Sequence, residues 1–282
     1  MNIIESLHEM QATARTMRAE GKRTALVPTM GALHEGHLSL IRQARREADV
    51  CLVSLFVNPT QFGAGEDYGR YPREFERDKR LCEEEGVEVL FAPSVETMYP
   101  PGLAVFVEEP PAAHMLEGAL RPGHFRGVLT IVAKLFNLVL PDVAVFGEKD
   151  AQQLFLIRRM TADLNFPLRI VGCPTVREPD GLAMSSRNAY LSPEERRDAL
   201  CLRRALDRAE ELFRSGEANV QQIKDGMLEV IRSVPNANMD YIEVVDEETF
   251  HPTSTAKAGS RVVLAVRLGE TRLIDNMRLT QF

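Results

Sequence analysis

The chain has 282 residues, with 34 lysines and arginines against 41 aspartates and glutamates, and its 44% hydrophobic and 27% charged content is ordinary for a soluble globular protein. That length accommodates one large domain plus a smaller one around a substantial core. The formal net charge of -7 argues against broad electrostatic binding to nucleic acid, while leaving room for a local basic patch around a small anion. Cys51, Cys82, Cys173 and Cys201 are widely separated, with neither a C-x-x-C pair nor zinc-type spacing, and read as reduced thiols. Glu5, His8, Glu9 and Arg15 interrupt the apolar core that a signal peptide would need, and no run reaches membrane-spanning length. The expectation is a cytoplasmic chain with neither membrane nor nucleic-acid partner.

Ile3, Leu7, Met10 and Ala14 keep helical spacing, which predicts an opening amphipathic helix ended by Gly21. Thr24 to Val27 is a short apolar strand, and Leu38, Leu40, Ile41 and Ala44 form one face of a following helix. Between them lies Pro28-Thr29-Met30-Gly31-Ala32-Leu33-His34-Glu35-Gly36-His37. A strand's carboxyl end meeting a helix N-terminus offers unpaired N–H groups and partial positive charge to an anion, so this junction reads as a phosphate site. Gly31 and Gly36 allow close backbone approach, and His34 and His37 can donate hydrogen bonds. Neither the dinucleotide glycine fingerprint nor a Walker loop is present.

Val50 to Val57 is a nearly continuous apolar strand, as expected when both faces are covered. It runs into Asn58-Pro59-Thr60-Gln61-Phe62-Gly63, which is either a strand-ending turn or a ligand-bearing loop. Tyr71 to Glu85 is a charge run that reads as a solvated helix face. Val87 to Ala92 is a further strand, and Pro100-Pro101-Gly102 marks a loop. Arg121, His124 and Arg126 precede a helical stretch and are either anion ligands or exposed loop charges. Val128, Ile131, Val132 and Leu135 then form one apolar helix face.

Asp142 to Phe146 is another buried strand, leading into Gly147-Glu148-Lys149-Asp150-Ala151-Gln152-Gln153. Lys149 suits a phosphate and Asp150 a ribose hydroxyl; Asp150 could equally be a helix N-cap. Leu168 to Val171 is the last strand before a connector containing Val176 and Gly181, followed by Met184-Ser185-Ser186-Arg187, whose hydroxyls and guanidinium suit a triphosphate. Ser192-Pro193-Glu194-Glu195 is a capping box opening a long helix to about Phe213. A helix from about Val220 to Ser233 follows, then short strands near Tyr241 to Val245, Arg261 to Ala265 and Arg272 to Asp275. No internal repeat or low-complexity tract is visible.

His34-Glu35-Gly36-His37 resembles the HxGH signature of the nucleotidyltransferase and class I aminoacyl-tRNA synthetase superfamily. The longer string from Pro28 to His37, the Asn58-Pro59-Thr60-Gln61-Phe62 turn, Phe146 to Gln153 and Met184 to Arg187 occur in one order that resembles the pantothenate synthetases, ligases that join pantoate to β-alanine with ATP. The resemblance spans nearly the whole chain, and the net charge disfavours the tRNA-binding branch. It implies an α/β fold, a Rossmann-like doubly wound parallel sheet over 1–176 with a smaller C-terminal α+β lid domain over 177–282. It further implies ATP contacts from Met30, Gly31, Ala32, Leu33, His34, Glu35, Gly36, His37, Gly147, Glu148, Lys149, Asp150, Val176, Met184, Ser185, Ser186 and Arg187. Pantoate contacts are implied for Gln61, Gln153, Pro28, Met30 and Val132, and catalytic roles for His37, His34 and Lys149.

Mg2+ is expected to arrive with ATP, and a homodimer is implied. The resemblance implies acidic residues here that approach metal and phosphates, but this chain has Glu76 and Arg77 before Asp78, and Arg77 in an otherwise acidic patch weakens a metal site, so no metal ligand is assigned. The resemblance implies a pantoyl adenylate attacked by β-alanine. The rival readings are a nucleotidyltransferase acting on a phosphorylated acceptor and a nucleotide-binding module without turnover.

Overall fold

The computed structural model describes residues 1–280. It splits into two compact units, Met1–Glu148 with Gln152–Pro174, and Lys149–Ala151 with the described residues from Thr175 on. The chain begins with β1 (Asn2–Ile4), α1 (Leu7–Ala19), β2 (Thr24–Thr29), α2 (Glu35–Glu47) and β3 (Val50–Leu55). After the tight turn Pro59–Gln61 come α3 (Phe75–Glu84), β4 (Val89–Phe91), α4 (Val95–Met98) and α5 (Glu117–Leu120). The long α6 (His124–Val139), β5 (Val143–Gly147), α7 (Ala151–Asp163) and β6 (Arg169–Cys173) complete this part of the chain.

Among the described residues the strands of the first unit form one six-stranded sheet in the order β1-β4-β3-β2-β5-β6, with every pairing parallel. Helices cover both faces, and the central strands are buried on each side, which is why β2 and β3 read as continuous apolar runs. From β2 the chain moves outward to β3 and β4, whereas β5 and β6 lie on its other flank. Strand order therefore reverses at β2 and β5. Their ladder is confined to Ala25↔Val143 and Leu26↔Ala144, so the carboxyl-terminal halves of the two strands diverge and open a crevice, the usual ligand position in such sheets. Pro28, which has no N–H to give, sits in the part of β2 that β5 does not pair.

The chain does not open with a helix. Ile3 belongs to β1, where it stands opposite Leu90 of β4, and the helix begins only at Leu7 behind the Ser6 N-cap. Pairing with β4 and the Ser6 cap decide this, overriding the helical spacing of Ile3.

The second unit carries α8 (Pro193–Asp198), α9 (Leu200–Arg214), α10 (Val220–Arg232), β7 (Ala237–Val245), β8 (Arg261–Leu268) and β9 (Thr271–Arg278). The capping box forms as expected: Glu195 N donates to Ser192 Oγ at 3.2 Å, and Ser192 N to Glu195 Oε2 at 2.8 Å. The single helix expected from there to Phe213 is instead broken at Ala199. No residue of α8 is buried, while α9 buries Cys201, Leu202, Ala205, Leu206, Ala209 and Phe213, so only α9 is fixed by packing. The three strands are longer than their apolar centres suggested and form an antiparallel meander, β7-β8-β9. All four cysteines are free and buried, and burial raises their thiol pKa values.

Candidate active site

At the carboxyl end of β2 the backbone turns through Gly31 at φ +80° and Ala32 at φ +51°, a left-handed conformation that needs outside support. The support is Asp78, on α3. Its Oδ2 accepts from Ala32 N at 2.7 Å and its Oδ1 from Leu33 N at 2.8 Å. A Cβ on residue 31 would lie 2.9 Å from Asp78 Oδ2, so glycine is required there both by the conformation and by the close approach of the carboxylate. Burial lifts the Asp78 carboxyl above its ordinary range in spite of those two N–H bonds. Arg77, next to it, donates to Leu33 O at 3.0 Å and pairs with Glu74. Thr29 Oγ1 links the strand end to Ser54 O at 2.8 Å and accepts from Gly31 N at 3.2 Å.

This turn delivers His34 and His37 to the start of α2. His34 is the N-cap and its Nδ1 accepts from Gly36 N at 3.1 Å, while His37 Nδ1 accepts from His34 N at 3.3 Å. Backbone N–H groups can only donate, so both Nδ1 atoms are acceptors and each ring carries its proton on Nε2. Two imidazoles with centroids 4.1 Å apart thus hold donor Nε2–H groups at a helix N-terminus. Glu35 is exposed and forms an ion pair with Arg42.

The turn after β3 holds Gln61, which is only 8% exposed. Its Nε2 donates to Met30 Sδ at 3.0 Å, so the structure brings those two sequence-selected residues together. Its Oε1 accepts from Asn58 Nδ2 at 3.1 Å, and the same Nδ2 lies 3.2 Å from Gly127 O. Asn58 Oδ1 accepts from Thr60 N, Thr60 Oγ1 and Tyr99 Oη, at 3.3, 2.9 and 2.8 Å. Asn58 is therefore the hub of the turn, a role the sequence hinted at only through an Asn-Pro pair at a strand end.

Arg121 and His124 are not exposed loop charges. Arg121 forks onto Glu66, and His124 is a buried residue of the first turn of α6. Arg126 is exposed and stacks on Phe106 with its guanidinium carbon 4.0 Å from the ring centroid. Burial first, and the Arg121 guanidinium second, push the His124 imidazole down to about 4, although the Gln61 carbonyl, Glu117 and Glu66 favour its charged form. The unfolded chain holds more protons than the folded one between about 6.5 and 4. Stability is thus expected to fall as pH drops through that window, by on the order of 2 to 3 kcal/mol, and then to level off. Urea unfolding at pH 7 and 4.5 checks this; His124→Leu should flatten the difference.

α6 approaches the Gln61 turn at Gly127. A Cβ there would lie 2.4 Å from Thr60 O, 2.6 Å from Thr60 C and 2.7 Å from Gln61 N, all of them backbone atoms that cannot move aside cheaply. Gly127→Ala is expected to cost about 1 to 3 kcal/mol of stability, read as a lowered urea midpoint, because the helix and the turn must separate. Val132, one and a half turns further on, is buried in the core with Leu129 and Phe136.

On the other side of the crevice, Gly147 ends β5 and a Cβ there would meet nothing within 4 Å. Glu148 N extends the ladder to Cys173 O, and Asp150 is exposed. The two glutamines of α7 separate in role. Gln152 is buried and holds the backbone of Ala112, Met115 and Glu117, while Gln153 is half-buried.

Lys149 and the Met184 to Arg187 segment belong to the second unit. There Lys149 O accepts from Asn276 Nδ2 at 2.8 Å. Met184 N donates to Val176 O at 3.0 Å, closing a hairpin, and Ser185 Oγ accepts from Arg187 N at 3.3 Å to start the helical turn Ser186–Tyr190. Arg177 anchors that hairpin by a bidentate pair with the buried Asp275, at 2.7 and 3.0 Å.

Comparison with known proteins places this geometry in context. The family profile described as pantoate-beta-alanine ligase matches residues 2–278. A pantothenate synthetase of Heliobacterium modesticaldum is 56% identical over 277 residues, covering 98% of this chain and 99% of that protein. One from Geobacter sulfurreducens is 54% identical over 276 residues, covering 98% of each. A crystal structure of pantothenate synthetase from Thermus thermophilus superposes with a TM-score of 0.94 at 49% identity, over 99% of this chain and 100% of that one. The pantoate-beta-alanine ligase of Francisella tularensis, solved with β,γ-ATP and β-alanine, superposes with a TM-score of 0.79 at 35% identity, over 99% and 97% of the two chains. With its profile match and its relatives both running nearly end to end, the chain belongs to the pantoate-beta-alanine ligase family.

Proposed function

We propose that this chain condenses pantoate with β-alanine in two steps. The pantoate carboxylate attacks the α-phosphorus of ATP, forming a mixed anhydride and expelling pyrophosphate. The β-alanine amine then attacks the acyl carbon; the carbon–oxygen bond to AMP breaks, AMP leaves, and the amine loses a proton as the amide forms. A free carboxylate would have to expel oxide, whereas the adenylate expels a stable phosphate. The first step therefore needs alignment and phosphate-charge stabilisation more than a protein nucleophile.

The observation that carries the reading is the pair of Nε2–H donors of His34 and His37, fixed by backbone bonds to Nδ1 at the N-terminus of α2. They are suited to hold phosphate oxygens, with His37 donating a hydrogen bond or a proton as pyrophosphate departs. The turn Met30 to Gly36 is assigned to the nucleotide as a surface of close approach, the N–H groups of Gly31, Ala32, Leu33, His34 and Gly36 being engaged within the protein. Gly147, Glu148, Lys149 and Asp150 are assigned to the nucleotide as well, Lys149 to its phosphates. Val176 is assigned to ATP, and Met184, Ser185, Ser186 and Arg187, in the proposed lid domain, to the triphosphate. Gln61 and Gln153 are assigned to the polar groups of pantoate, with Pro28, Met30 and Val132 as its apolar wall.

Mg2+ is assigned to the triphosphate itself. Both oxygens of Asp78 already accept N–H bonds and Arg77 stands beside it, so that corner does not suit a protein-held divalent ion, and no step is routed through one. The enzyme is proposed to be a cytoplasmic homodimer.

Gln61→Ala and Gln153→Ala are each expected to raise the KM for pantoate about tenfold or more while changing that for ATP by no more than about twofold, as loss of a hydrogen bond to a bound polar group does. Steady-state kinetics with each substrate varied in turn checks this. The reverse pattern would overturn the pocket assignment.

A further inference from the structure

Gln61 is held at its backbone as well as at its amide. Its carbonyl oxygen lies 2.8 Å from His124 Nδ1 and 3.3 Å from Arg121 Nη2. A carbonyl only accepts, so His124 Nδ1 carries the proton. Arg121 Nη1, which only donates, lies 3.1 Å from His124 Nε2, so that nitrogen presents its lone pair. The two neighbours thus fix one tautomer of one buried ring. Arg121 is locked in turn by Glu66, with Nε to Oε1 at 2.8 Å and Nη2 to Oε2 at 2.6 Å, a planar fork. Glu66 lies five residues beyond Gln61 in the same loop. The loop is therefore clamped at both ends to the segment that begins α6, and none of these three side chains is among the residues assigned above to substrate.

We propose that His124 is a positioning residue for the pantoate site, acting with Arg121 and Glu66 to set the Gln61 backbone and through it the direction of the Gln61 amide. The proposal rests on the assignment of Gln61 to pantoate. Asn58 and Met30 hold the amide at the far end of the side chain, the His124 clamp sets the backbone from which that side chain starts, and Gly127 leaves no space for the turn to slide along α6. Losing the ring leaves the Gln61 carbonyl with the longer Arg121 bond alone and removes the Nε2 acceptor that faces Arg121 Nη1. The turn then rotates, and pantoate is the substrate that loses its contact.

The experiment uses the full-length enzyme with His124→Leu, which removes both nitrogens, and His124→Asn, whose side-chain amide can place an N–H near the position of Nδ1. The leucine variant is expected to raise the KM for pantoate about tenfold or more with that for ATP within about twofold, and the asparagine variant to recover most of the pantoate affinity. A merely structural histidine would shift both substrates together, or leave asparagine as damaging as leucine, and either outcome overturns the proposal. So does a leucine variant with unchanged constants. If the leucine variant does not fold, Glu66→Gln carries the test through the weakened fork, with the same selective loss of pantoate affinity expected and a uniform or absent effect contradicting it. Gln61→Ala, measured alongside, separates the two levels. If it leaves pantoate affinity unchanged, the pocket assignment fails; if it weakens pantoate while His124→Leu does not, only the role of His124 fails.

Discussion

His37→Ala is expected to lower kcat by on the order of 10²-fold or more, with the ATP-dependent release of pyrophosphate slowed by the same factor. The side chain does two things that can be separated. Its Nδ1 accepts from His34 N at 3.3 Å, a helix-capping contact whose loss costs about 1 kcal/mol of stability. Its Nε2–H is the donor assigned to the departing pyrophosphate, and this is the function that the rate reads. His37→Gln keeps a terminal amide N–H at a comparable reach but cannot supply a proton. Recovery of most of the lost rate by glutamine would assign His37 to charge stabilisation, and failure to recover would assign it to proton donation. Pre-steady-state measurement of pyrophosphate release makes the comparison directly. A near-normal rate for the alanine variant would defeat the assigned role.

The second large effect is expected at a residue far from the signature in sequence. Asp78→Ala removes the acceptor of both Ala32 N and Leu33 N, leaving two buried donors unpaired. Each costs about 1 to 3 kcal/mol, so the variant should lose roughly 2 to 5 kcal/mol in urea unfolding, less whatever is regained by no longer burying a charge. The Gly31–Ala32 turn, held at positive φ by that carboxylate, then relaxes and carries His34 away from its capping geometry. Activity should fall even in conditions where the protein remains folded. Asp78→Asn is expected to rescue little, because its amide offers one acceptor to two donors and turns an N–H toward an N–H. A variant that unfolds normally and retains full turnover would show that the turn does not need its clasp.

The parts of the fold that could be read from sequence were those whose cause is local. β2, β3 and β5 announce themselves as apolar runs, the HxGH segment as a strand-to-helix junction, and Ser192 to Glu195 as a capping box. What could not be read depends on partners distant in the chain. β1 is three residues long and exists because β4, more than eighty residues later, pairs with it. Asp78 sits in a charge run whose spacing reads as a solvated helix face, yet it is 1% exposed because it serves a backbone turn 45 residues earlier. His124 has the composition of a loop charge and becomes a buried neutral ring only when the Gln61 carbonyl and Arg121 are placed on either side of it. One overlooked signal was present: Gly127, within an otherwise apolar helix face, marks a close backbone approach, and the approach is to Gln61. Arg77, in the same charge run, bonds through its guanidinium to the backbone of Leu33 and pairs with Glu74, so it too serves the turn rather than solvent alone.

The most direct test of the proposed chemistry is the release of AMP and pyrophosphate from Mg-ATP and pantoate, measured with and without β-alanine. The two-step ligation predicts that pyrophosphate release requires pantoate, that without β-alanine it stops near one equivalent per active site, and that steady AMP release begins only when β-alanine is added. Steady AMP release that is indifferent to β-alanine, or bound ATP that yields neither product with any pairing of substrates, would contradict it.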